Sequence, residues 1–206
     1  MRRDTFKCFR CSACCAAGLL VPLTKFDFQE WVLSKCYLPV ILTVKESNTI
    51  TESLGLDYVY TLMSHRHSSY KYVRDVLQHY GVKLPERGCA LYAQEHSTCR
   101  IYRRRPLVCR IFPFTASLTV CDWARDNCEA VRRGHCLPTY DLAKLAELYS
   151  REIERTYDSE RALREIEELR RSIFDKVVSK MVRDRVHLEV LRYYLLSYIN
   201  FTELNG

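Results

Sequence analysis

Glycine and proline are scarce, six of each in 206 residues, too few for collagen-like or low-complexity tracts and contrary to long disorder. No window approaches the ~18 uninterrupted apolar residues that a membrane span requires. No internal repeat is present. The first residues, Met1 to Cys8, carry charge but no apolar stretch, so no secretory leader is expected. There is no Gly-x-Gly-x-x-Gly turn for a nucleotide-type cofactor, and no acid and base residues stand at a telling spacing. These absences point away from secreted, membrane and dinucleotide-dependent classes. What remains is an ordinary globular domain, or a small domain with a helical extension, and 48% apolar residues suffice for a core.

Against this background eleven cysteines stand out, all lying between Cys8 and Cys136. A disulfide framework would want an oxidising compartment and usually an even count. Neither condition holds, so metal thiolates in a cytoplasmic protein are expected. The net charge of +7, with runs at Arg103–Arg105 and Arg132–Arg133, permits binding to nucleic acid or an acidic protein without establishing either.

The strongest local signal is Cys8-x-x-Cys11-x-x-Cys14-Cys15. Successive Cys-x-x-Cys spacings bring three sulfurs within a short length of chain, as a tetrahedral zinc ion or one face of a cubane cluster requires. Adjacent Cys14 and Cys15 cannot easily point the same way, so one completes this site while the other serves a second site or packs as a small apolar group. Further along, Cys89, Cys99 and Cys109 recur at spacings of ten, with Arg103–Arg105 among them to favour thiolates. The alternative makes these three buried structural thiols. Cys121, Cys128 and Cys136 form a looser group without chelate spacing, and His135 beside Cys136 is a conceivable nitrogen donor. Cys36 reads as core, and His65 and His67 read as surface or capping residues.

The expected fold is α+β and predominantly α, with a boundary near Pro138. Residues 1–138 form a cysteine-rich, metal-stapled unit with short strands, and residues 139–206 form a helical unit. Thr24 followed by Asp27, Phe28, Trp31 and Val32 predicts a short capped helix. Tyr37 to Val44 is a possible edge strand, since Pro39 cannot serve a central one. Ser68 to Tyr80, stopped by Gly81, predicts another helix. Segments from Cys89 to Tyr92 and from Cys99 to Tyr102 are placed to pair as a hairpin. Apolar stripes run through Leu142, Leu145, Tyr149 and Ile153, then from Leu163 through Ile166, Leu169, Ile173, Phe174 and Val177 to Met181, with Glu167 and Arg171 at pairing distance. A third stripe, Leu188 to Tyr198, follows Asp184 as a cap. These stripes need a surface to cover: each other, the cysteine unit or a second chain. Tyr58, Tyr60, Tyr70, Tyr72, Tyr92 and Tyr102 fit packing positions better than a base-stacking groove.

Taken together, Cys8-x-x-Cys11-x-x-Cys14-Cys15, the stretch Val21-Pro22-Leu23-Thr24 with Asp27, and Cys99-x-Ile-Tyr-x-x-Arg-Pro-x-x-Cys109-Arg-x-Phe-Pro-Phe resemble the YkgJ-type cysteine-cluster family. That family is named for zinc or iron chelation and is related to flagellin lysine-N-methylase. The resemblance covers about the first 115 to 140 residues. It implies metal binding by Cys8, Cys11, Cys14, Cys15, Cys89, Cys99 and Cys109, and no single settled activity. Two departures stand out: Ser12 replaces a frequent glycine, and Cys128-Glu129-Ala130 replaces a frequent Cys-Pro-Gly. The thiol-only set leans toward a [4Fe–4S] iron–sulfur cluster, with zinc open because both accept four thiolates. Three functions follow: a cluster or metal protein with a carrier or structural role, a cluster-dependent protein-lysine methyltransferase, or a zinc-stapled adaptor for nucleic acid or a protein partner.

Overall fold

The computed structural model describes residues 4–34, 41–45, 58–62, 64–66, 70–79 and 84–183. Helices dominate, and the strands are short. In chain order come β1 (Asp4–Thr5), α1 (Ala13–Ala17), α2 (Lys25–Leu33), β2 (Ile41–Lys45), β3 (Tyr58–Leu62) and α3 (Tyr70–His79). They are followed by β4 (Tyr92–Ala93), β5 (Thr98–Cys99), α4 (Leu107–Ile111), α5 (Asp122–Asn127), α6 (Glu129–Arg132) and β6 (His135–Leu137). Two long helices, α7 (Tyr140–Tyr157) and α8 (Glu160–Arg183), come last. The fold is α+β and predominantly α, as expected. Strands β2 and β3 pair antiparallel, as do β4 and β5, whereas β1 and β6 pair parallel across most of the sequence. Cys36, His67, Tyr37 to Pro39, Asp184 and the stripe from Leu188 to Tyr198 lie outside the described residues.

Helix α2 begins where its capping residues say it should. The Thr24 N–H donates to Asp27 Oδ2 at 2.8 Å, and the Asp27 N–H donates to Thr24 Oγ1 at 3.3 Å, so two of the donors left over at a helix start are satisfied reciprocally. The same carboxylate does a second task. Asp27 Oδ1 accepts the Leu107 N–H at 2.8 Å, which places a negative group at the N-terminus of α4. On the other side of α2, Phe28 and Trp31 are wholly buried, and the Trp31 indole N–H donates to the Arg104 carbonyl at 2.9 Å. The helix is thereby tied to the segment that carries Cys99 and Cys109.

The two long helices cover this assembly. Thr139 caps α7 by accepting the Leu142 N–H at 3.2 Å. The helix then buries Ala146, Tyr149 and Ile153 against Leu107 and Ile111 of α4. Helix α8 sends Ile166 and Ile173 into a cluster with Val21, Leu23, Phe28 and Trp31. Full burial of each large apolar side chain contributes roughly 1.5–3 kcal/mol before conformational entropy is subtracted. Polar ties reinforce the contact. The Tyr157 hydroxyl donates to the Leu23 carbonyl at 2.8 Å, the Lys25 N–H donates to Thr156 Oγ1 at 2.8 Å, and Lys25 pairs with Glu165. The apolar stripes of α7 and α8 thus find their surface on the cysteine-bearing part of the chain. The Glu167 carboxylate is held by Arg170, whose Nε and Nη2 both donate at 2.8 Å.

Candidate metal centre

Four separate segments bring thiols to one place. The first is α1. Arg10 and Ser12 flank Cys11 and both adopt positive φ, 55° and 60°, a conformation that costs a non-glycine residue on the order of 1–2 kcal/mol. The double reversal leaves Cys8 and Cys11 exposed and carries Cys14 and Cys15 inward on the helix. The Ser12 hydroxyl donates to the Ser97 carbonyl, which anchors the turn to the β4–β5 hairpin.

The second segment is docked by backbone. The Cys89 N–H donates to the Cys15 carbonyl at 2.8 Å. Close approach is possible because Gly88 has no side chain: a Cβ there would sit 2.6 Å from the Cys15 oxygen. His65 steadies this crossing. Its Nδ1 accepts the Gly88 N–H at 2.8 Å, while its own N–H donates to the Gly88 carbonyl at 3.0 Å. This half-buried histidine is therefore a structural brace between segments, a role that its sequence neighbourhood does not reveal.

The hairpin is the third segment and supplies Cys99, directly opposite Tyr92. Helix α4 supplies the fourth segment, carrying Cys109 two residues beyond the Leu107 N–H held by Asp27. Cys14, Cys15, Cys89, Cys99 and Cys109 all line one cavity of about 80 Å³. Apolar side chains, among them Leu20, Val21, Leu62, Leu91, Val108 and Phe112, make up most of the remaining wall, and Arg105 is the charged group on it. The Arg105 guanidinium lies 4.0 Å from the Tyr102 ring centroid, and its Nε donates to the Tyr102 carbonyl at 3.1 Å. Tyr102 is thus a packing residue, as is Tyr70, whose hydroxyl donates to the Pro85 carbonyl at 2.6 Å.

The thiols do not titrate alike. Cys15 keeps its proton, because its S–H is shared with Cys14 and Cys99; those hydrogen bonds hold both neighbours below the ordinary thiol value, and Arg105 adds to the effect. Burial pushes Cys89 up to about 12 and Cys109 well above its ordinary value. A cation entering the cavity would reverse these upward shifts, since a coordinated thiol is deprotonated outright.

The donor set fits a soft metal: sulfur alone, apolar walls and one guanidinium to offset thiolate charge. Among the described residues no group of three or more His, Cys, Asp or Glu side chains is already arranged to ligate a metal. Binding therefore requires the thiols to rotate toward a common centre.

The seven cysteines singled out from the sequence do not all meet. Five line the cavity, while Cys8 and Cys11 lie outside its lining. Among the described cysteines none is in a disulfide. Cys128 is buried between α5 and α6, in a cluster with Ala124 and Ala130 against which Phe6, Phe9, Phe112 and Cys121 pack. Cys136 is half-buried, its S–H donating to the Gly134 carbonyl at 3.6 Å.

Thiols gathered in this way mark a cysteine-cluster chelator. Residues 7–129 match the CxxCxxCC family, described as a putative zinc- or iron-chelating domain, and the chain belongs to that family. No curated protein and no solved structure matches it. No described helix is long and apolar enough to cross a membrane.

Proposed function

We propose that the chain is a metal protein in which Cys14, Cys15, Cys89, Cys99 and Cys109 supply the ligands of an iron–sulfur cluster of the [4Fe–4S] type. The observation that carries this reading is the convergence of five thiols from four chain segments on one apolar-walled cavity. A zinc ion and a [4Fe–4S] cluster each take four thiolates, so one of the five is spare in either case, and the all-sulfur donor set in an apolar-walled cavity is what leans the reading toward the cluster. Such a group supplies one-electron chemistry or a Lewis-acidic iron. Arg105 offsets the negative charge of the thiolates, and the surrounding leucine, valine and phenylalanine side chains limit water, which sets both cluster lifetime and potential.

A carrier or structural role is favoured over methyl transfer. The described lining consists of thiols, apolar side chains and Arg105. With the thiols taken up as ligands, the described lining leaves Arg105 and apolar side chains, which supply no base to take a proton from a lysine substrate.

Iron, zinc and acid-labile sulfide should be measured in chain purified without oxygen. Several irons with matching sulfide and thiolate-to-iron absorption near the visible range are expected, and all are lost in Cys109→Ala. A preparation holding zinc alone, and refusing iron on reconstitution, would refute the cluster.

A further inference from the structure

Positive charge in this chain is gathered where the thiols are. Residues 5–17 and 89–114, which carry all five cysteines of the cavity, hold seven Lys and Arg against the single acid Glu95, and so account for six of the chain's net charge of +7. Two of these cations have carboxylate partners: Arg100 faces Glu95 at 3.9 Å, and Arg110 pairs with Glu30. Among the described residues no carboxylate pairs with Arg10, Arg103, Arg104 or Arg105. Two of the four meet on one ring. The Arg105 guanidinium lies 4.0 Å from the Tyr102 centroid, and the Arg10 guanidinium lies 4.6 Å from it. Tyr102–Arg104 is a single 3-10 turn, in which side chains three apart eclipse, so Arg105 falls over Tyr102. Arg103 and Arg104 occupy the two positions between and are exposed. The turn is held through its backbone. The Arg104 N–H donates to the Ile101 carbonyl at 2.7 Å, the Arg104 carbonyl accepts the Trp31 indole N–H, and the Arg105 carbonyl accepts Arg110 Nε at 2.6 Å.

We propose that Arg10, Arg103, Arg104 and Arg105 form a docking surface for an acidic protein partner at the rim of the thiol cavity. Arg105 lines the cavity and offsets thiolate charge, whereas Arg10, Arg103 and Arg104 lie outside its lining and are exposed to solvent. Guanidinium forks match carboxylates bidentately. Because the turn is fixed before anything binds, little ordering cost is left for the encounter. Phosphates would satisfy the same forks. The ring among these arginines, however, is covered by two guanidinium groups and offers no platform on which bases could stack. Carboxylates of a protein need no such platform. Encounters that pass an electron are small and steered by charge, and a surface that begins on the cavity wall brings its partner to the centre. The surface itself stands on the placement of charge; only this use of it rests on the cluster reading above.

Binding is read by fluorescence anisotropy of a labelled poly-L-glutamate peptide added to full-length chain, metal-free and metal-loaded, with single- and double-stranded DNA as the competing polyanions. Arg103→Ala/Arg104→Ala should weaken peptide binding by about fivefold or more, through loss of two exposed guanidinium–carboxylate contacts. Arg125→Ala/Arg132→Ala removes the same charge at arginines that face Asp122 and Glu129, and should leave binding within about twofold of the parent. Circular dichroism checks the fold of both; the contacts that fix the turn go to backbone carbonyls, which alanine also has. Equal weakening in the two pairs would mean that binding follows net charge alone, and overturns the surface. Unchanged binding in Arg103→Ala/Arg104→Ala overturns it too. DNA bound more tightly than poly-L-glutamate, and lost in the same variant, would make this a nucleic-acid surface and overturn the acidic partner. Iron content separates the two readings. Chain that refuses iron yet binds the peptide in the expected pattern keeps the surface and loses the cluster; chain that holds iron but binds no peptide loses the surface alone.

Discussion

Replacing Gly88 with alanine should separate the two halves of the thiol cavity without touching a thiol. The added Cβ would lie 2.6 Å from the Cys15 oxygen and 3.1 Å from the Ala16 Cα, both backbone atoms that cannot rotate away. Gly88 also has φ of +104°, and holding alanine there costs on the order of 1–3 kcal/mol. Relieving the clash pulls Cys89 from the Cys15 carbonyl, and a buried N–H without its partner costs roughly 1–3 kcal/mol more. Together these give a destabilisation of about 2–6 kcal/mol, which for a chain of this length lowers Tm by about 4–24 °C. Thermal unfolding followed by circular dichroism measures the stability loss, and elemental analysis of the same samples measures the metal. Gly18→Ala is the comparison, because its nearest obstacle is the His65 ring at 2.6 Å rather than backbone. It should unfold earlier than the unsubstituted chain but keep more metal than Gly88→Ala. A Gly88→Ala chain with Tm within about 2 °C of the parent and full metal content would refute the idea that this crossing assembles the site.

Asp27 should make stability pH-dependent in an unusual direction. Burial raises its carboxyl from 3.8 to about 6, against the pull of the Thr24 and Leu107 N–H groups and Arg110. Between those values the folded chain keeps a proton that the unfolded chain has released, so stability falls as pH rises from about 4 to about 6, by on the order of 3 kcal/mol. Denaturant titrations of Asp27→Asn should lose this slope while being less stable throughout; an unchanged slope would assign it to other groups. Ile166→Ala should cost about 2–5 kcal/mol, since the side chain is wholly buried among Val21, Phe28 and Trp31. A loss below about 1 kcal/mol would mean that α8 does not cover the core. In metal-free, reduced chain near neutral pH, brief alkylation read by mass spectrometry should modify Cys14 and Cys99 about tenfold faster than Cys89 and Cys109, because lowered thiols carry the nucleophilic thiolate. Equal labelling across the four would contradict the shared proton on Cys15.

Local chemistry was legible in the sequence, and contacts between distant segments were not. Thr24 and Asp27 announce the start of α2, and the 3.6-residue periods of α7 and α8 announce their buried faces. The short hairpin that carries Cys99 follows from its flanking residues. Nothing in the spacing shows that Asp27 also reaches Leu107, that His65 braces Gly88, or that β1 pairs with β6. Each depends on segments far apart in the chain meeting through backbone groups that every residue possesses. The division of Cys8-x-x-Cys11-x-x-Cys14-Cys15 was hidden for a different reason. It turns on positive φ at Arg10 and Ser12, residues whose intrinsic preference lies elsewhere. Cys128 reads as one of a loose group because Phe6 and Phe9, which pack on its cluster beside the nearby Ala124 and Ala130, lie far from it in the sequence. A phenylalanine inside the motif, at position 9, was the available clue that the motif packs against something of its own.

The convergence of thiols from α1, the hairpin and α4 has a topological consequence. An ion or cluster that takes sulfur from both Cys14 and Cys109 closes a loop of roughly 95 residues, about the span at which a covalent cross-link removes 4–5 kcal/mol of unfolded-chain entropy. That loop encloses α2, β2, β3 and α3 and ends in α4, the helix on which α7 packs. Bound metal would therefore act on the chain as a removable cross-link. Its withdrawal should loosen helices that carry no cysteine at all, so the long C-terminal helices would report, by their unfolding, on the loading of a cavity whose lining includes none of their residues.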